Sequence, residues 1–386
     1  MKQAVIVDAL RSPIGRAVKG SLVDVRPDDM AAHVVQTLVA RYPQLPLGEI
    51  ADVTCGISGQ SGEQAYNLGR IIGQLAGLPQ EVPGTTVNRF CASSLQALRM
   101  AHQGIATGEG EIFLAVGVES ATRRAPSFTA DDLNPRMVDK SRPDFVSDMY
   151  VNMVQTAENV AAKYGVSRED QDQYAVRSQT LAVASRDDGT FAREIVPIDT
   201  PNGTVSVDDG PRDGTTYEKL SSLKPLVGGH GTVTAGNACP INDGAAAALV
   251  MSADRAAELD LPVRGRILGS HVTGVAPEIM GVGPIEATRG LLKRFGMTMD
   301  DVDLVELNEA FASQVLASAR ELDIDIDGSL NVFGGAIALG HPYGMTGVRM
   351  VTTLLNALET RDGSIGLVTQ CIGGGQGMAM LIERVA

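Results

Sequence analysis

Two cysteines and one histidine lie in sequence contexts that suit covalent chemistry. Cys91 follows an extended apolar segment and precedes small residues that open a helix, so its thiol is predicted near a positive helix N-terminus that favours the thiolate. His341 lies among glycines and is followed by Pro342, which suits the first turn of a helix. Cys371 ends a strand-like run and enters the glycine run 373–375, where backbone N–H groups can stabilise negative charge. These residues offer a nucleophile, a base and an acid.

Each of these residues also has an ordinary structural interpretation. An isolated cysteine is more often a buried structural thiol, and an isolated histidine is more often a satisfied core residue. A glycine run is more often a tight turn. Asn308, at the end of a strand-like segment, suits a water or a carbonyl oxygen, but an asparagine before a helix is more often an N-cap. No single motif decides between these interpretations.

The segments that carry these residues alternate between β-rich apolar runs and helical patterns. The strand-like runs are 4–7, 52–55, 111–118, 303–307 and 365–371, and a helical pattern covers 94–106. This alternation predicts an α/β protein with buried sheets.

The stretch from 121 to 230 differs from the rest of the chain in composition and in hydrophobic pattern. It is rich in prolines and charges and has one clear helical pattern, at 156–164. Within a regular α/β chain this indicates an inserted, loop-rich segment that folds over a ligand.

A short internal repeat links the cysteine with the histidine. The pair Arg99-Met100 begins eight residues after Cys91, and the pair Arg349-Met350 begins eight residues after His341. If the repeat reflects two pseudo-symmetric halves, Cys91 and His341 occupy equivalent helix N-termini in one shared site.

Composition excludes several classes of protein. The chain has 46 acidic and 32 basic residues and a net charge of −14, which disfavours nonspecific binding to nucleic acid or anionic lipid. No window approaches the ~18 unbroken apolar residues of a membrane span. The N-terminus runs directly into a strand-like segment, so a cytoplasmic location is expected. The four cysteines form no CxxC pair, which predicts reduced thiols and no metal site.

Taken together, four motifs resemble those of the thiolase family along essentially the whole chain. They are the nucleophile motif at 88–91, the histidine motif at 334–344, the second-cysteine motif at 371–377 and the NEAFA box at 308–312. The resemblance implies a layered α-β-α-β-α fold with two thiolase-type halves, 1–118 with 243–264 and 265–386. It also implies that 119–242 is an inserted loop domain that covers coenzyme A.

The resemblance assigns a role to each reactive residue. His341 takes the proton of Cys91, the thiolate attacks the 3-keto carbon of a 3-oxoacyl-CoA, and Cys371 protonates the departing enolate of acetyl-CoA. One oxyanion hole would use His341 and a water held by Asn308, and the other would use the backbone N–H groups of Cys91 and Gly373.

Coenzyme A is the implied co-substrate, with no permanently bound cofactor. The residues that the resemblance nominates as its contacts are Arg212, Ala235, Cys239, Phe311 and Met153. On sequence alone Arg212 is as readily a solvated surface arginine. Cys239 stands where many relatives have a serine that contacts CoA, and a thiol is a weaker hydrogen-bonding group, so altered CoA affinity is expected.

Two further differences concern the substrate. Val227 and Asn152 stand where acetoacetyl-specific relatives often have phenylalanine and histidine, which favours a degradative thiolase over a biosynthetic acetoacetyl-CoA enzyme. Family habit implies a homodimer or homotetramer, and a partner that carries the hydratase and dehydrogenase steps is compatible with the degradative type.

Three competing classes fit the sequence less well. A ketoacyl-carrier-protein synthase would have asparagine in place of Cys371. A papain-like peptidase would lack the glycine-rich turns. A non-catalytic acyl-CoA-binding relative would not need the complete set of Cys91, His341, Asn308 and Cys371.

Overall fold

The computed structural model describes residues 2–125, 128–142, 145–146 and 149–385. Residues 1 and 386, the outer limits of the two predicted halves, lie outside the described residues. The strands of this part are β1 (Ala4–Arg11), β2 (Gly15–Arg16), β3 (Ile50–Gly56), β4 (Gly84–Val87), β5 (Ile112–Ser120), β6 (Ile198–Thr200), β7 (Gly203–Val205), β8 (Asn242–Ser252), β9 (Gly265–Gly274), β10 (Leu304–Leu307), β11 (Ile365–Ile372) and β12 (Gln376–Arg384).

Helices account for most of the remaining regular structure. They are α1 (Pro27–Ala40), α2 (Leu68–Leu75), α3 (Ser93–Thr107), α4 (Met153–Tyr164), α5 (Arg168–Asp187), α6 (Tyr217–Ser221), α7 (Ala253–Glu258), α8 (Gly283–Phe295), α9 (Ala312–Glu321), α10 (Ala336–Leu339) and α11 (Thr346–Arg361). Within the described ranges, no helix is both long enough and apolar enough to cross a bilayer.

The main sheet consists of two arms with the same topology. Its strand order is β10-β11-β12-β9-β1-β8-β5-β3-β4, and the two arms meet where β9 pairs with β1. In one arm β3 and β5 are parallel while β5, β8 and β1 are successively antiparallel. In the other arm β10 and β11 are parallel while β11, β12 and β9 are successively antiparallel. The duplication suggested by the short Arg-Met repeat is therefore visible in the strand order.

Alternate residues of the strands face different helix layers. In β1, Val5 packs in a cluster with α1, whereas Ile6 packs in a cluster with α3 and α11. In β12, Met380 faces α3 and α11, whereas Leu381 packs in a cluster with α8 and α9. Because successive strand side chains point to opposite faces, the layers follow the order helix, sheet, helix, sheet, helix. The predicted α/β class and layered, two-half architecture are confirmed.

The middle layer brings the two halves together at one place. Helix α3 follows the turn that carries Cys91 and leads to β5, while α11 follows the loop that carries His341 and leads to β11. The two helices share one buried apolar cluster, which includes Leu95 and Leu98 of α3 and Val348 and Val351 of α11. Their N-terminal ends are thus held by the same core.

The segment between β5 and β8 contains more helix than its sequence pattern predicted. Helix α5 runs for 20 residues and was not predicted. Its N-terminus is a capping box in which Ser167 and Asp170 exchange hydrogen bonds, a four-residue pattern that was readable in the sequence. The helix was not predicted because its sequence is mostly polar, and too few apolar residues recur at helical spacing to indicate a buried face.

A single buried carboxylate fastens α5 to the other half of the molecule. Glu309 accepts hydrogen bonds from the Tyr174 hydroxyl (2.7 Å) and the Ser178 hydroxyl (2.6 Å) of α5. It also accepts from the Asn331 side-chain amide (2.9 Å) and from the Ile337 backbone N–H (3.0 Å) of α10. The loop that leads to His341 and the inserted segment therefore share one anchor.

We expect Glu309→Gln to lower the free energy of unfolding by about 1–3 kcal/mol, because the new amide N–H₂ would face a backbone or hydroxyl donor and leave a buried group unsatisfied. Urea unfolding followed by circular dichroism measures this. Glu169→Gln, a neutral substitution of an exposed acid on α5, is the matched control and should unfold at the wild-type midpoint. Equal midpoints for all three proteins would contradict the anchoring role.

Candidate active site

Cys91 lies on a tight turn between β4 and α3. Phe90, immediately before it, has a φ of 46°, a left-handed conformation that costs a non-glycine residue free energy. The turn is held by Asn88, whose Oδ1 accepts from the Phe90 N–H (2.8 Å). It is also held by Ser93, whose hydroxyl accepts from the Arg89 N–H (2.9 Å) and donates to the Phe90 carbonyl (2.7 Å). The thiol is fixed just ahead of the first turn of α3.

Burial controls the charge of this thiol. It raises the pKa of Cys91 to about 12, Glu119 adds to the rise, and the backbone N–H groups of Gly373 and of Cys91 itself oppose it by hydrogen bonding to the sulfur. Desolvation therefore outweighs the helix N-terminus, which by itself favours the thiolate, and the resting group is a thiol. A neighbouring base must remove the proton.

The contacts of His341 assign its tautomer. The Thr346 hydroxyl donates its one hydrogen to the Pro342 carbonyl (2.8 Å). Its oxygen can therefore only accept in the contact with His341, so His341 Nδ1 is the donor at 2.7 Å. This places the ring proton on Nδ1 and leaves the lone pair on Nε2, which faces the Asn308 Nδ2 at 3.3 Å. Burial, with a smaller effect of Arg349, lowers the pKa of His341 to about 3. The imidazole is neutral, and Nε2 can accept a proton.

Asn308 follows β10 and is buried beside the imidazole. Helix α9 begins at Ala312 with Phe311 as its N-cap residue, so Asn308 does not cap it. The amide nitrogen faces His341, while Oδ1 has no hydrogen-bond partner among the described residues. A buried amide oxygen without a protein partner is a natural position for a bound water or a substrate group.

Cys371 lies one residue before the end of β11, opposite Gly377 of β12. Burial, then Cys91 and Cys239, raise the pKa of Cys371, which keeps it a neutral thiol. The turn after it needs glycine at 374 and 375, where φ is 76° and 79°. The same turn presents the Gly373 N–H to the sulfur of Cys91.

The segment around Cys239 lies against the NEAFA box. Ala238 and Phe311 form an isolated antiparallel bridge, and the Cys239 N–H donates to the Ala310 carbonyl (3.0 Å). Phe311, Ala238 and Cys371 belong to one buried apolar cluster. Of the predicted CoA contacts, Cys239 and Phe311 are therefore beside the reactive residues.

Met153 lies at the edge of the site rather than beside the reactive residues. It is the first residue of α4 and is 37% exposed. Helix α4 packs Val154 and Ala157 onto the apolar cluster that contains Phe311 and Cys371. Met153 thus borders the region without belonging to its core.

Arg212 and Ala235 line a separate small cavity of about 40 Å³. Pro240, which follows Cys239 in the chain, also lies on its wall. Arg16 also lines this cavity, and burial together with Arg16 lowers the pKa of Arg212. Two guanidinium groups line the same cavity, and such a pair suits an anion. Arg16 was missed because nothing in its local sequence distinguishes it from a surface arginine.

Sequence reasoning also missed Tyr343, which lies in the histidine motif, and Thr346, which lies two residues after it. Thr346 determines the tautomer of His341. The Tyr343 ring packs edge-on against the imidazole, with a centroid distance of 4.9 Å and an interplanar angle of 81°. Their spacing of two and five residues from His341 was the available signal, but only folding of the loop shows which side chains turn back to the ring.

Comparison with known proteins identifies the family. The thiolase N-terminal domain model matches residues 4–254 and the thiolase C-terminal domain model matches residues 261–384. The chain is 46% identical to the beta-ketoadipyl-CoA thiolase of Pseudomonas aeruginosa and 44% identical to the 3-ketoacyl-CoA thiolase of Aeromonas hydrophila, with 100% of each chain covered.

The fold agrees with these sequence matches. The dimeric peroxisomal thiolase of Saccharomyces cerevisiae superposes with a TM-score of 0.94 and 38% sequence identity, covering 100% of this chain and 98% of that one. The chain belongs to the thiolase family. As a thiolase it is an acyltransferase that uses coenzyme A as co-substrate.

We expect the rate of Cys91 alkylation by iodoacetamide to rise about tenfold per pH unit from pH 7 to 10. Because the thiol pKa is raised, the thiolate fraction is small at neutral pH and grows with pH without levelling off in this range. Intact mass with Cys91→Ala as background control measures it. A plateau below pH 8 would show a stabilised thiolate and contradict the neutral resting state.

Proposed function

We propose that Cys91 carries the acyl group during CoA-dependent thiolytic cleavage of a 3-oxoacyl-CoA, with His341 as its base and Cys371 as the second acid and base. The observation that supports this most directly is the Nδ1-protonated, neutral His341, whose unprotonated Nε2 lies 3.3 Å from the buried Asn308 side-chain nitrogen. A neutral imidazole has a lone pair that can accept the thiol proton during the attack on the substrate. This suits a nucleophile that rests as a thiol.

The first half-reaction forms the acyl-enzyme. His341 Nε2 takes the Cys91 proton, and the sulfur attacks the 3-keto carbon. The oxyanion is stabilised by the backbone N–H groups of Cys91 and Gly373, the two donors that already point at the sulfur. The bond between C2 and C3 then breaks, its electron pair passes into the enolate of acetyl-CoA, and the Cys371 thiol protonates C2.

Asn308 and His341 stabilise the enolate oxygen. After proton transfer, the protonated Nε2 becomes a donor, and a water bound by Asn308 supplies another. The second half-reaction uses the resulting Cys371 thiolate to deprotonate incoming CoA, whose sulfur takes the acyl group from Cys91. His341 returns its proton to the released sulfur and restores the resting state.

The cavity that contains Arg16 and Arg212 holds the phosphate-bearing end of CoA in this proposal. Arg212 is fixed at its backbone, where its N–H donates to the Gln179 side chain (2.8 Å). Ala235, Cys239, Phe311 and Met153 then line the route of the pantetheine arm toward Cys91. Cys239 offers this route only a weak hydrogen-bonding group, so altered CoA affinity stays a prediction.

The degradative direction is part of the proposal. It rests on Val227 and Asn152 and on the relatives that are named for 3-ketoacyl-CoA and beta-ketoadipyl-CoA. We also propose the division into 1–118 with 243–264, 119–242 and 265–386, and a homodimer or homotetramer in the cytoplasm. A hydratase and dehydrogenase partner remains a prediction from the degradative type.

Thiolysis of a 3-oxoacyl-CoA series from C4 to C16 tests the proposal, with the loss of magnesium-enolate absorbance as the readout. Turnover of longer chains with an acylated Cys91 by intact mass would support it. Activity confined to C4 would favour an acetoacetyl-CoA enzyme, and no turnover of any chain would contradict the proposed function.

Variants of the cysteines test the assigned roles. We expect Cys91→Ala to abolish both the acyl adduct and turnover. Cys371→Ser should retain Cys91 acylation from a saturated acyl-CoA while exchange of the acetyl α-proton falls by at least about a hundredfold, since proton transfer by a positioned group contributes 10²–10⁴-fold. Cys55→Ala, a buried cysteine of β3, is the control and should keep wild-type kinetics. Equal loss of acylation and exchange in Cys371→Ser would contradict the division of labour.

Arg16→Met tests the CoA cavity. We expect KM for CoA to rise about tenfold with kcat nearly unchanged, because a charge-assisted contact made equally in ground and transition states is lost. Lys19→Met removes an exposed charge from the same segment and should leave KM unchanged. A wild-type KM in the Arg16 variant, or an equal rise in both variants, would remove Arg16 from the binding site.

A further inference from the structure

Gln370 is a fully buried polar residue that the catalytic steps above do not use. It lies in β11 immediately before Cys371. Within the described ranges, neither its side-chain nitrogen Nε2 nor its oxygen Oε1 has a hydrogen-bond partner. Burying an amide without partners costs free energy, and buried polar groups in folded proteins are almost always paired. A buried glutamine of this kind therefore indicates a partner outside the polypeptide, such as a bound water.

The pairing of β10 with β11 places Gln370 beside Asn308. The parallel ladder includes Leu307 opposite Thr369, and the Asn308 N–H then donates to the Thr369 carbonyl (3.0 Å). In a parallel ladder, a residue that donates to one carbonyl lies opposite the residue that follows that carbonyl. Asn308 is therefore opposite Gln370, at the usual strand separation of about 4.8 Å.

The two side chains face the same helix layer. Val368, two residues before Gln370, packs in the apolar cluster with α3 and α11, as does Met378, which pairs with Gln370 across β12. Alternation along β11 thus directs Gln370 toward this middle layer. Asn308 also faces it, because its Nδ2 lies 3.3 Å from Nε2 of His341 in the loop that leads to α11. The two buried amides are neighbours on one face of the sheet.

The unpaired atoms of the two amides are complementary. Asn308 Oδ1 is an acceptor, and Gln370 Nε2 is a donor with two hydrogens. They are not bonded to each other, nor to any other group in the part of the chain that the structure describes. A buried water typically satisfies such groups by joining two to four of them. A water between the two strands would accept from Gln370 and donate to Asn308.

From this arrangement we infer that Gln370 is a positioning residue for the water that Asn308 holds in the enolate oxyanion hole. The inference deepens the proposed thiolytic function and rests on it. Gln370 Nε2 donates to the water oxygen, so one water hydrogen goes to Asn308 Oδ1 and the other is directed to the enolate oxygen. A water oriented in advance does not have to turn as negative charge develops.

This role is confined to one of the two oxyanion holes. The enolate hole consists of His341 and the water, whereas the tetrahedral adduct on Cys91 is stabilised by the N–H groups of Cys91 and Gly373. Loss of the Gln370 amide should therefore slow the reactions that pass through the enolate and spare acylation of the nucleophile. A purely structural role of Gln370 would not separate these two reactions.

Gln370→Met tests the inference, because it keeps the length of the side chain and removes the amide. We expect deuterium uptake at the acetyl α-carbon of acetyl-CoA, which passes through the enolate, to slow about tenfold, since one hydrogen bond to the water is lost. Acetylation of Cys91 by acetyl-CoA, measured by rapid quench and intact mass, should stay within about twofold because it uses the other hole.

Gln370→Leu, a second apolar replacement, should show the same separation. Thermal unfolding by circular dichroism should show that both variants fold, because neither removes a hydrogen bond to another described group. The matched control is Gln314→Met. Gln314 of α9 is likewise fully buried and without partners among the described residues, but it lies against Gly281. Its variant should exchange and acetylate at wild-type rates.

A double variant tests whether Gln370 acts through Asn308. In Asn308→Ala the water is no longer held, so adding Gln370→Met should not slow deuterium uptake further. Additive losses in the double variant, equal losses of uptake and acetylation, or wild-type uptake in both Gln370 variants would overturn the inference. If the wild type neither acetylates Cys91 nor exchanges the α-proton, the proposed function itself is refuted.

Discussion

The carboxylate of Glu309 is the interaction on which the arrangement of the active site depends. It lies in the NEAFA box directly after Asn308, and its four hydrogen bonds join α5, Asn331 and the N-terminal end of α10. A buried charge is tolerated only when its hydrogen bonds are satisfied, so these elements must meet in one geometry. That geometry places Asn308 beside His341 and brings the inserted segment over the site.

The resting site is kept without charge by burial. The thiols of Cys91 and Cys371 have raised pKa values and the imidazole of His341 has a lowered one, so all three groups are neutral before substrate binds. Charge then appears only as bonds change, next to donors that are already oriented. Electrostatic stabilisation of this kind needs no reorganisation at the moment of reaction, which is why fixed N–H groups can replace an activated thiolate.

Much of the fold and of the reactive set was readable from the sequence, because strand alternation and the glycine-bracketed motifs are local signals. Strand β8 was not predicted, since its alanine-rich run resembles a helix and is a strand only because helix layers cover both of its faces. Arg16 was not identified, because its significance comes from a cavity that distant segments form together. The extent of desolvation at Cys91 could not be predicted either, since it depends on the complete tertiary environment.

The layer shared by α3 and α11 makes the two halves of the molecule depend on each other for burial of their apolar surface. Each helix buries one face against its own sheet arm and another against its counterpart, so either half alone would expose a broad apolar surface to water. The two halves therefore stabilise each other through this shared core. Cys91 lies before α3 and His341 before α11, so a change that moved the two helices apart would also separate these two side chains.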